Sequence, residues 1–483
     1  MTTNGNNGKE TKLFDLWPVP SFPHFPSTPE ATQKLRELLK LNHKNWHIFF
    51  DENRKHDHIS HGLLALWSLG SNAEVLQSAY NLNVELQAPI GGEQVKRITK
   101  ENVWDHLGDP GYYKAYLDFF TAIIGDMGPA AALEEYVFSE KANYGSKNKE
   151  GKHPEMLNRF LGGVLHVIIH VGYGAEFDMP GMWVEGLAQA AVNQAINGAL
   201  VSPSSFETTA ESAASAKKDK NGVHAFTILA RILKDKRFDV EWDDFFATFT
   251  RVMNQCGAAC VEYTQDWLPS PNSSEMIQQK IQELEWALTL MCVAPGFQGE
   301  EKEYNADFLA MHFVTSSLFL RPLILFLSPR SQALLLRTYF SVCLAVWTTL
   351  GRPQLDLERF FASPPSPYPE TSPPAAKHKF ALATNANPNP WLDIFAQAIV
   401  HPDVHVPKFQ RAMYVYATRY GSISAGFFAN TELSGAEQID GTLFVRSAFL
   451  TAKRLAREVD KLPEVLCFWD RKGFREGVVE DVY

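Results

Sequence analysis

The stretch HDHISHGLLALWSLG, His56 to Gly70, decides the fold class. Asp57 suits the N-cap of a helix over His58–Leu69, and Gly70 stands where a left-handed C-terminal stop is wanted. His58 and His61 are three residues apart, about 60° around such an axis, so they share a face. Gly62 and Ala65 flank that face with almost no side chain, while Ile59, Leu63, Leu66 and Trp67 pack elsewhere. Three of the 15 histidines in 483 residues, His56, His58 and His61, thus meet at the mouth of an apolar helix.

A second stretch repeats the pattern. EMLNRFLGGVLHVIIHV, Glu155 to Val171, predicts one helix carrying His166 and His170 at a spacing of four, about 40° apart. Gly162 and Gly163 lie one turn below His166 and clear space on the same face. A glycine inside a helix costs about 1 kcal/mol relative to alanine, so two together imply a packing or access requirement. Each buried neutral imidazole brings two nitrogens to satisfy. A divalent metal shared by the two pairs fills one per ring and leaves the other for a neighbouring acceptor. The plainer alternative is four core histidines with separate hydrogen bonds.

The rest of the chain agrees with helix. Apolar residues recur at helical spacing over Ala31–Leu41, Gly181–Leu200 and Met276–Met291, and two-residue alternation is scarce. Thr28, Pro29 and Glu30 make a helix start. The expectation is an all-α chain, a large single-body helical fold with long loops and little strand. Polar or Pro-rich breaks fall at 143–154, 202–222, 269–275, 353–374 and 384–390. Within 353–374 the run SPPSPYPETSPP, Ser363 to Pro374, must be extended, because each proline fixes its own backbone and disfavours helix before it. Residues 1–26 read as a flexible polar tail, with neither the basic start nor the apolar run of a signal peptide, and 27–483 as the helical body.

Composition narrows the function. The chain is 45% hydrophobic and 21% charged with net charge −10, spread without long blocks of one sign, which argues against a nucleic-acid surface and for a small-molecule partner. Five cysteines, mostly in apolar stretches, fit a reducing, cytoplasmic setting. Cys256 and Cys260, one turn apart, read as core packing before a metal pair. The best membrane candidate, Phe308–Gly351, is broken by Arg321, Pro322, Arg330 and Arg337. Its longest clean run, Thr338–Leu350, has 13 residues, against the roughly 20 that a bilayer requires. Buried core helices are expected there, and no membrane span. No GxGxxG follows a strand, and neither GxxxxGK[ST] nor GxSxG occurs; Gly172-Tyr173-Gly174 lacks the third glycine.

Other histidines compete for the site. His43 and His47 share helical spacing in LNHKNWHIFF, on a face that Lys44 and Asn45 mark as partly solvated. His401 and His405 do so in HPDVH, where Pro402 and Pro407 argue against a continuous helix. His312, in FLAMHFVTSSLFL, is a reserve ligand or substrate contact, and His47 another residue on the substrate side. His56 points away from His58 on a helix, so it stands behind the ligands or at the surface. Glu176, six residues past His170, is either the carboxylate that orients a ligand imidazole or an exposed loop acid. The 33 Phe, 15 Tyr and 11 Trp suffice to line a flat apolar pocket, although most must be ordinary core.

WHIFF, HDHISHGLLALWSLG, HVIIHVGYGAE and HPDVHVPKFQRA together resemble the questin oxidase-like family, over roughly Leu38 to Arg457. The resemblance implies a single-body helical enzyme of fungal aromatic polyketide pathways that acts with O2 on hydroxylated anthraquinones or related polycyclic phenols. It further implies a ring-opening dioxygenase with iron(II) held by four histidines and a carboxylated lysine. Carried onto this chain, these are His58, His61, His166 and His170, with Lys377 in PAAKHKFALA as the modified lysine. Imidazole suits iron, zinc, copper and nickel alike, so the residues by themselves specify only a borderline divalent metal. A buried lysine beside a cation loses its proton, and the neutral amine can add CO2 to give an anionic oxygen ligand. Four nitrogens and one oxygen would fill five octahedral positions and leave one for O2.

Three alternatives remain. The same resemblance allows an NADPH-dependent Baeyer-Villiger type monooxygenase on an anthraquinone. A metal-dependent hydrolase would use His56-Asp57-His58 as its HxH, but the βα alternation of a barrel is missing. A helical binding protein would use the histidines for a structural metal or haem. No motif speaks to oligomeric state.

Overall fold

The computed structural model describes residues 13, 14, 22, 24–91, 95–148, 151–196, 198–206, 222–269, 273–363, 389–457 and 466–475. Helix dominates them, and pairing of extended backbone is confined to the isolated bridges Trp46–Pro89, Phe49–His56 and Asp307–Asp470. The all-α expectation holds.

The helices that frame the site are, in chain order, α1 (Pro29–Asn45), α2 (Ile59–Ser68), α3 (Tyr113–Leu133), α4 (Met156–Leu161), α5 (His166–Phe177), α6 (Pro180–Val192), α7 (Phe245–Trp267), α8 (Ser274–Val293), α9 (Phe308–Ser317), α10 (Pro329–Thr349), α11 (His405–Tyr420) and α12 (Leu443–Leu455). Local chemistry sets their ends. Thr28 caps α1 by accepting from the Ala31 N–H at 3.1 Å, with Pro29 at the first position. Helix α2 begins one residue later than expected, and the Asp57 carboxylate accepts from the Ile59 N–H at 2.8 Å. Gly70 follows with φ +84°, the left-handed stop.

The single helix expected over Glu155–Val171 is two helices. Gly163, Val164 and Leu165 all take positive φ, +56°, +53° and +65°, and break the chain between α4 and α5. The glycine pair therefore interrupts the helix instead of clearing one of its faces. A Cβ at Gly163 would lie 2.6 Å from His56 Nε2, so the position is also one of close approach. Left-handed backbone at Val164 and Leu165 costs on the order of 1–3 kcal/mol each and persists only where packing over-determines it.

Four histidine-bearing segments close into a ring. Helix α2 packs on α5 and α11, and α9 also packs on α5 and α11. Around this ring α5 lies on α6, α6 on α3, α9 on α8 and α11 on α12, while α7 and α10 pair in the neighbouring part of one continuous core. The apolar stretch 308–351 forms α9, α10 and a short helix between them, nearly all buried. No helix of the described residues is long and apolar enough to cross a membrane.

Two loop expectations change. Part of the 1–26 tail is core: Leu13, Phe14 and Phe22 are buried, and the Phe14 ring edge meets His43 at 5.3 Å between centroids. The Pro-rich segment 353–374 opens with a short helix, Leu357–Ala362; residues 364–388, Lys377 among them, lie outside the described residues. Cys256 and Cys260 are buried in the core, as expected, and Cys256 Sγ donates to the Val252 carbonyl.

Candidate metal centre

His58 stands just before α2 and His61 in its first turn, His166 opens α5 with His170 one turn on, His312 lies within α9, and His405 opens α11. The ring of helices brings all six inward. The two expected pairs meet crosswise: His58 Nε2 faces His166 Nε2 at 2.8 Å, and His61 Nε2 faces His170 Nδ1 at 2.9 Å. His312, the reserve candidate, and His405, which the flanking prolines argued against, join the first pair. The His405 ring lies 4.6 Å from that of His58, and the His312 ring 4.8 Å from that of His166 and 5.7 Å from that of His405. One ligand atom from each of His58, His166 and His405 lies within 4.8 Å of the others.

Hydrogen bonds fix which nitrogens are free. His166 Nδ1 meets the Gly163 carbonyl at 2.5 Å and His312 Nδ1 the Phe308 carbonyl at 2.8 Å; carbonyls only accept, so each Nδ1 carries the proton. His405 Nδ1 likewise donates to the Asp403 carboxylate at 2.7 Å. The lone pair of each ring therefore sits on Nε2. In His312 and His405 that atom is buried without a partner. Imidazoles whose Nδ1–H is anchored and whose Nε2 is bare are arranged as metal ligands are. The helix break supplies one anchor, because Gly163 turns its carbonyl to His166.

Electrostatics agree. Burial pushes His58, His166 and His312 well below the ordinary imidazole pKa, and His405 to about 4, so all are neutral bases at physiological pH. Lys408, one turn beyond His405, has its amine buried without a partner, and burial lowers it to about 7. Its charge is the second-largest cause, after burial, of the lowering at His58 and His405.

The second pair is engaged differently. His170 Nε2 meets Glu185 Oε2 at 2.6 Å, and Glu185 Oε1 meets His43 Nδ1 at 2.7 Å. Both ring nitrogens of His170 are thus occupied within the protein. Burial works to raise Glu185, but the hydrogen bonds from His170 and His43 outweigh it and hold the carboxyl at about 2.

The remaining expected residues fall outside the cluster or beside it. Glu176 does not orient an imidazole; it forms a buried ion pair with Arg411, whose guanidinium lies over the Tyr173 and Phe177 rings. His47 donates from Nε2 to the Pro110 carbonyl at 3.0 Å, accepts at Nδ1 from the Phe49 N–H at 2.9 Å, and lines a surface cavity of about 470 Å³ with Phe49, Arg54 and Lys114. His56, placed in the sequence behind the ligands or at the surface, is buried and stacks on His166 at 4.3 Å and 8°.

His405, Lys408, Glu185 and His43 were not singled out from sequence as parts of the centre. HPDVH carries a visible signal, but Pro402 and Pro407 argue in sequence against a continuous helix, and Pro407 proves harmless. It occupies the first turn of α11, where a missing N–H costs nothing. His401 stays outside and bonds the Leu455 carbonyl.

The profile of the questin oxidase-like family matches residues 55–413, three quarters of the chain. The chain belongs to the questin oxidase-like family. The matched region contains His56, all six histidines of the ring, Glu185 and Lys408; His43 lies before it. Among curated relatives, a protein named Baeyer-Villiger monooxygenase from Aspergillus aculeatus is 27% identical over 59% of this chain and 60% of its own length. A Baeyer-Villiger oxidase from Pestalotiopsis microspora is 25% identical over 84% of this chain and 85% of its own. A questin oxidase from Aspergillus terreus is 25% identical over 78% of each. The chain thus spans about 60% of the length of the Aspergillus aculeatus relative.

Proposed function

We propose that this questin oxidase-like chain is an iron(II)-dependent oxidoreductase that opens a ring of a hydroxylated anthraquinone or related polycyclic phenol with O2, as a dioxygenase of fungal polyketide biosynthesis. One observation carries the metal: neutral imidazoles from four segments converge, with Nδ1 anchored in His166, His312 and His405, Nε2 bare in His312 and His405, and the Nε2 atoms of His58 and His166 turned to each other. The residues that would hold the ion are His58, His166, His405 and His312. His61 was expected beside them and keeps one free nitrogen, whereas His170 has none to give. The proposed set therefore still has four histidines, with His312 and His405 in place of His61 and His170.

Iron(II) held there supplies the redox centre through which O2 reacts with an electron-rich ring. The protein's share is to bury four neutral imidazoles at one junction and to fix His166, His312 and His405 through their second nitrogens. The fifth, oxygen ligand is proposed as carboxylated Lys377. The same chemistry is open to Lys408, whose amine is lowered to about 7 by burial and is therefore partly neutral, and so open to CO2, at neutral pH. Labelled bicarbonate followed by carbon NMR of Lys377→Ala and Lys408→Ala assigns the carbamate, because only one variant loses the signal.

A second reading is favoured by the names of the relatives, several of them Baeyer-Villiger oxygenases: an NADPH-dependent monooxygenase on an anthraquinone. O2 uptake with a hydroxyanthraquinone separates the two. The dioxygenase reading expects uptake without NADPH that stops on chelation and returns with iron(II). Strict NADPH dependence, or full activity after complete metal removal, defeats it.

A further inference from the structure

The hydrogen bonds of the second histidine pair run in one direction, and their inner end is unfilled. Glu185, ionised and buried, only accepts, so His170 Nε2 carries a proton and donates it at 2.6 Å. In the tautomer of His170 that carries its proton on Nε2, the lone pair lies on Nδ1. That atom faces His61 Nε2 at 2.9 Å, so His61 Nε2 is the donor. The lone pair of His61 is thereby forced onto Nδ1, which is buried and has no partner. The His61 ring, 1% exposed, sits 6.1 Å from His58, 6.3 Å from His166 and 5.9 Å from Tyr173 between centroids. The chain of bonds leaves a bare acceptor beside the proposed metal ligands. An orphaned buried acceptor is unfavourable. A bound hydroxyl group would remove that cost.

We propose that His61 Nδ1 accepts the hydrogen bond of a phenolic hydroxyl of the substrate, and that Glu185, acting through His170, is the positioning residue that fixes this polarity. The proposal rests on the reading of the substrate as a hydroxylated polycyclic aromatic. His43 completes the device from outside by donating to the other oxygen of Glu185 at 2.7 Å, which keeps the carboxylate charged and oriented. No bond to carbon and no electron moves in this step. One N···H–O hydrogen bond forms, and the water that solvated the hydroxyl is released.

The test is anaerobic binding of a dihydroxyanthraquinone and of its dimethyl ether to the iron-loaded protein, with histidine nitrogen NMR on the zinc-loaded form as a readout that needs no substrate. The wild type is expected to bind the diphenol tenfold or more tightly than the ether. Glu185→Ala is expected to lose that preference while binding the ether and iron as the wild type does. Glu185→Asp, which keeps the charge, is expected to restore part of it. In the NMR experiment His61 Nδ1 should be unprotonated and free of metal in the wild type, and the tautomers of His61 and His170 should change in Glu185→Ala. Equal affinity for diphenol and ether, a preference unchanged in Glu185→Ala, a proton on His61 Nδ1, or a zinc-bound His61 Nδ1 each overturns the proposal. Should neither anthraquinone bind at all, the substrate reading fails and the NMR result alone decides the polarity of the chain.

Discussion

Two buried polar clusters in this molecule make opposite arrangements. At Glu285, on α8, both carboxylate oxygens are filled: Oε1 accepts from Arg321 at 2.9 Å and Arg419 at 3.0 Å, and Oε2 from Arg321 at 2.9 Å and from the Tyr420 hydroxyl. At the histidine ring, His61 Nδ1, His312 Nε2, His405 Nε2 and Lys408 Nζ are buried with nothing to bond. The first cluster spends its charges on itself and holds α8, α11 and the chain after α9 together. The second is satisfied only when something binds. A buried polar group compensated within the fold is structure; one left bare at the meeting point of four segments is a site.

Acid should separate the two most strongly. His56 and His405 titrate near 4 in the folded chain against an ordinary 6.5, both through burial, so the unfolded chain takes up protons first as the pH falls. The stability they contribute is complete above about 6.5 and drains away towards 4, at about 1.4 kcal/mol per pH unit for each such histidine. Asp57, raised by burial to about 6, works the other way but is outnumbered. The metal-free protein should therefore lose thermal midpoint steeply between pH 6.5 and 4, and bound metal, which keeps its ligand imidazoles unprotonated, should raise the midpoint without flattening that slope. A midpoint that stays level across this window breaks the contrast.

Glu285→Ala should come next, costing about 3 kcal/mol or more by stranding two guanidinium groups, with iron stoichiometry unchanged. Its counterpart, His166→Ala, should abolish iron binding yet leave the metal-free protein within about 2 kcal/mol of wild type at neutral pH, because the lost side chain served the ion more than the fold. Denaturant unfolding and elemental analysis of both variants check the pair, and loss of iron in Glu285→Ala would blur the distinction. Saturating metal should add about 2.7 kcal/mol at a hundred times its dissociation constant, reversed by a chelator.

The smallest effects sharpen the comparison. Gly163→Ala places a Cβ 2.6 Å from His56 Nε2 at a residue with φ +56°, so a loss of about 1–2 kcal/mol should come with weakened iron binding. Tyr420→Phe removes one of the donors to Glu285 and should cost about 1 kcal/mol with no effect on iron.

The sequence carried the helical class because apolar spacing is a local property. It also carried the convergence of the His58/His61 pair with the His166/His170 pair, since four buried imidazoles have few ways to be satisfied; which ring meets which was visible only in the fold. It did not carry the break at Gly163–Leu165, three left-handed residues in a row of which Gly163 closely approaches His56. Nor did it carry His405: local helix rules counted Pro407 against it, and only the start of α11 reveals that the proline falls in the harmless first turn. Glu185 offered no signal at all, because a lone acid in PGMWVEGLAQ gains its meaning from His43 and His170, which lie far away in the chain.

Anaerobic titration of the metal-free protein with iron(II), comparing wild type, His405→Ala and His170→Ala, tests the central claim most directly. One ion per chain in the wild type and in His170→Ala, with binding lost in His405→Ala, is the predicted result. Binding that survives in His405→Ala and disappears in His170→Ala, or a wild type that takes up no iron, contradicts it.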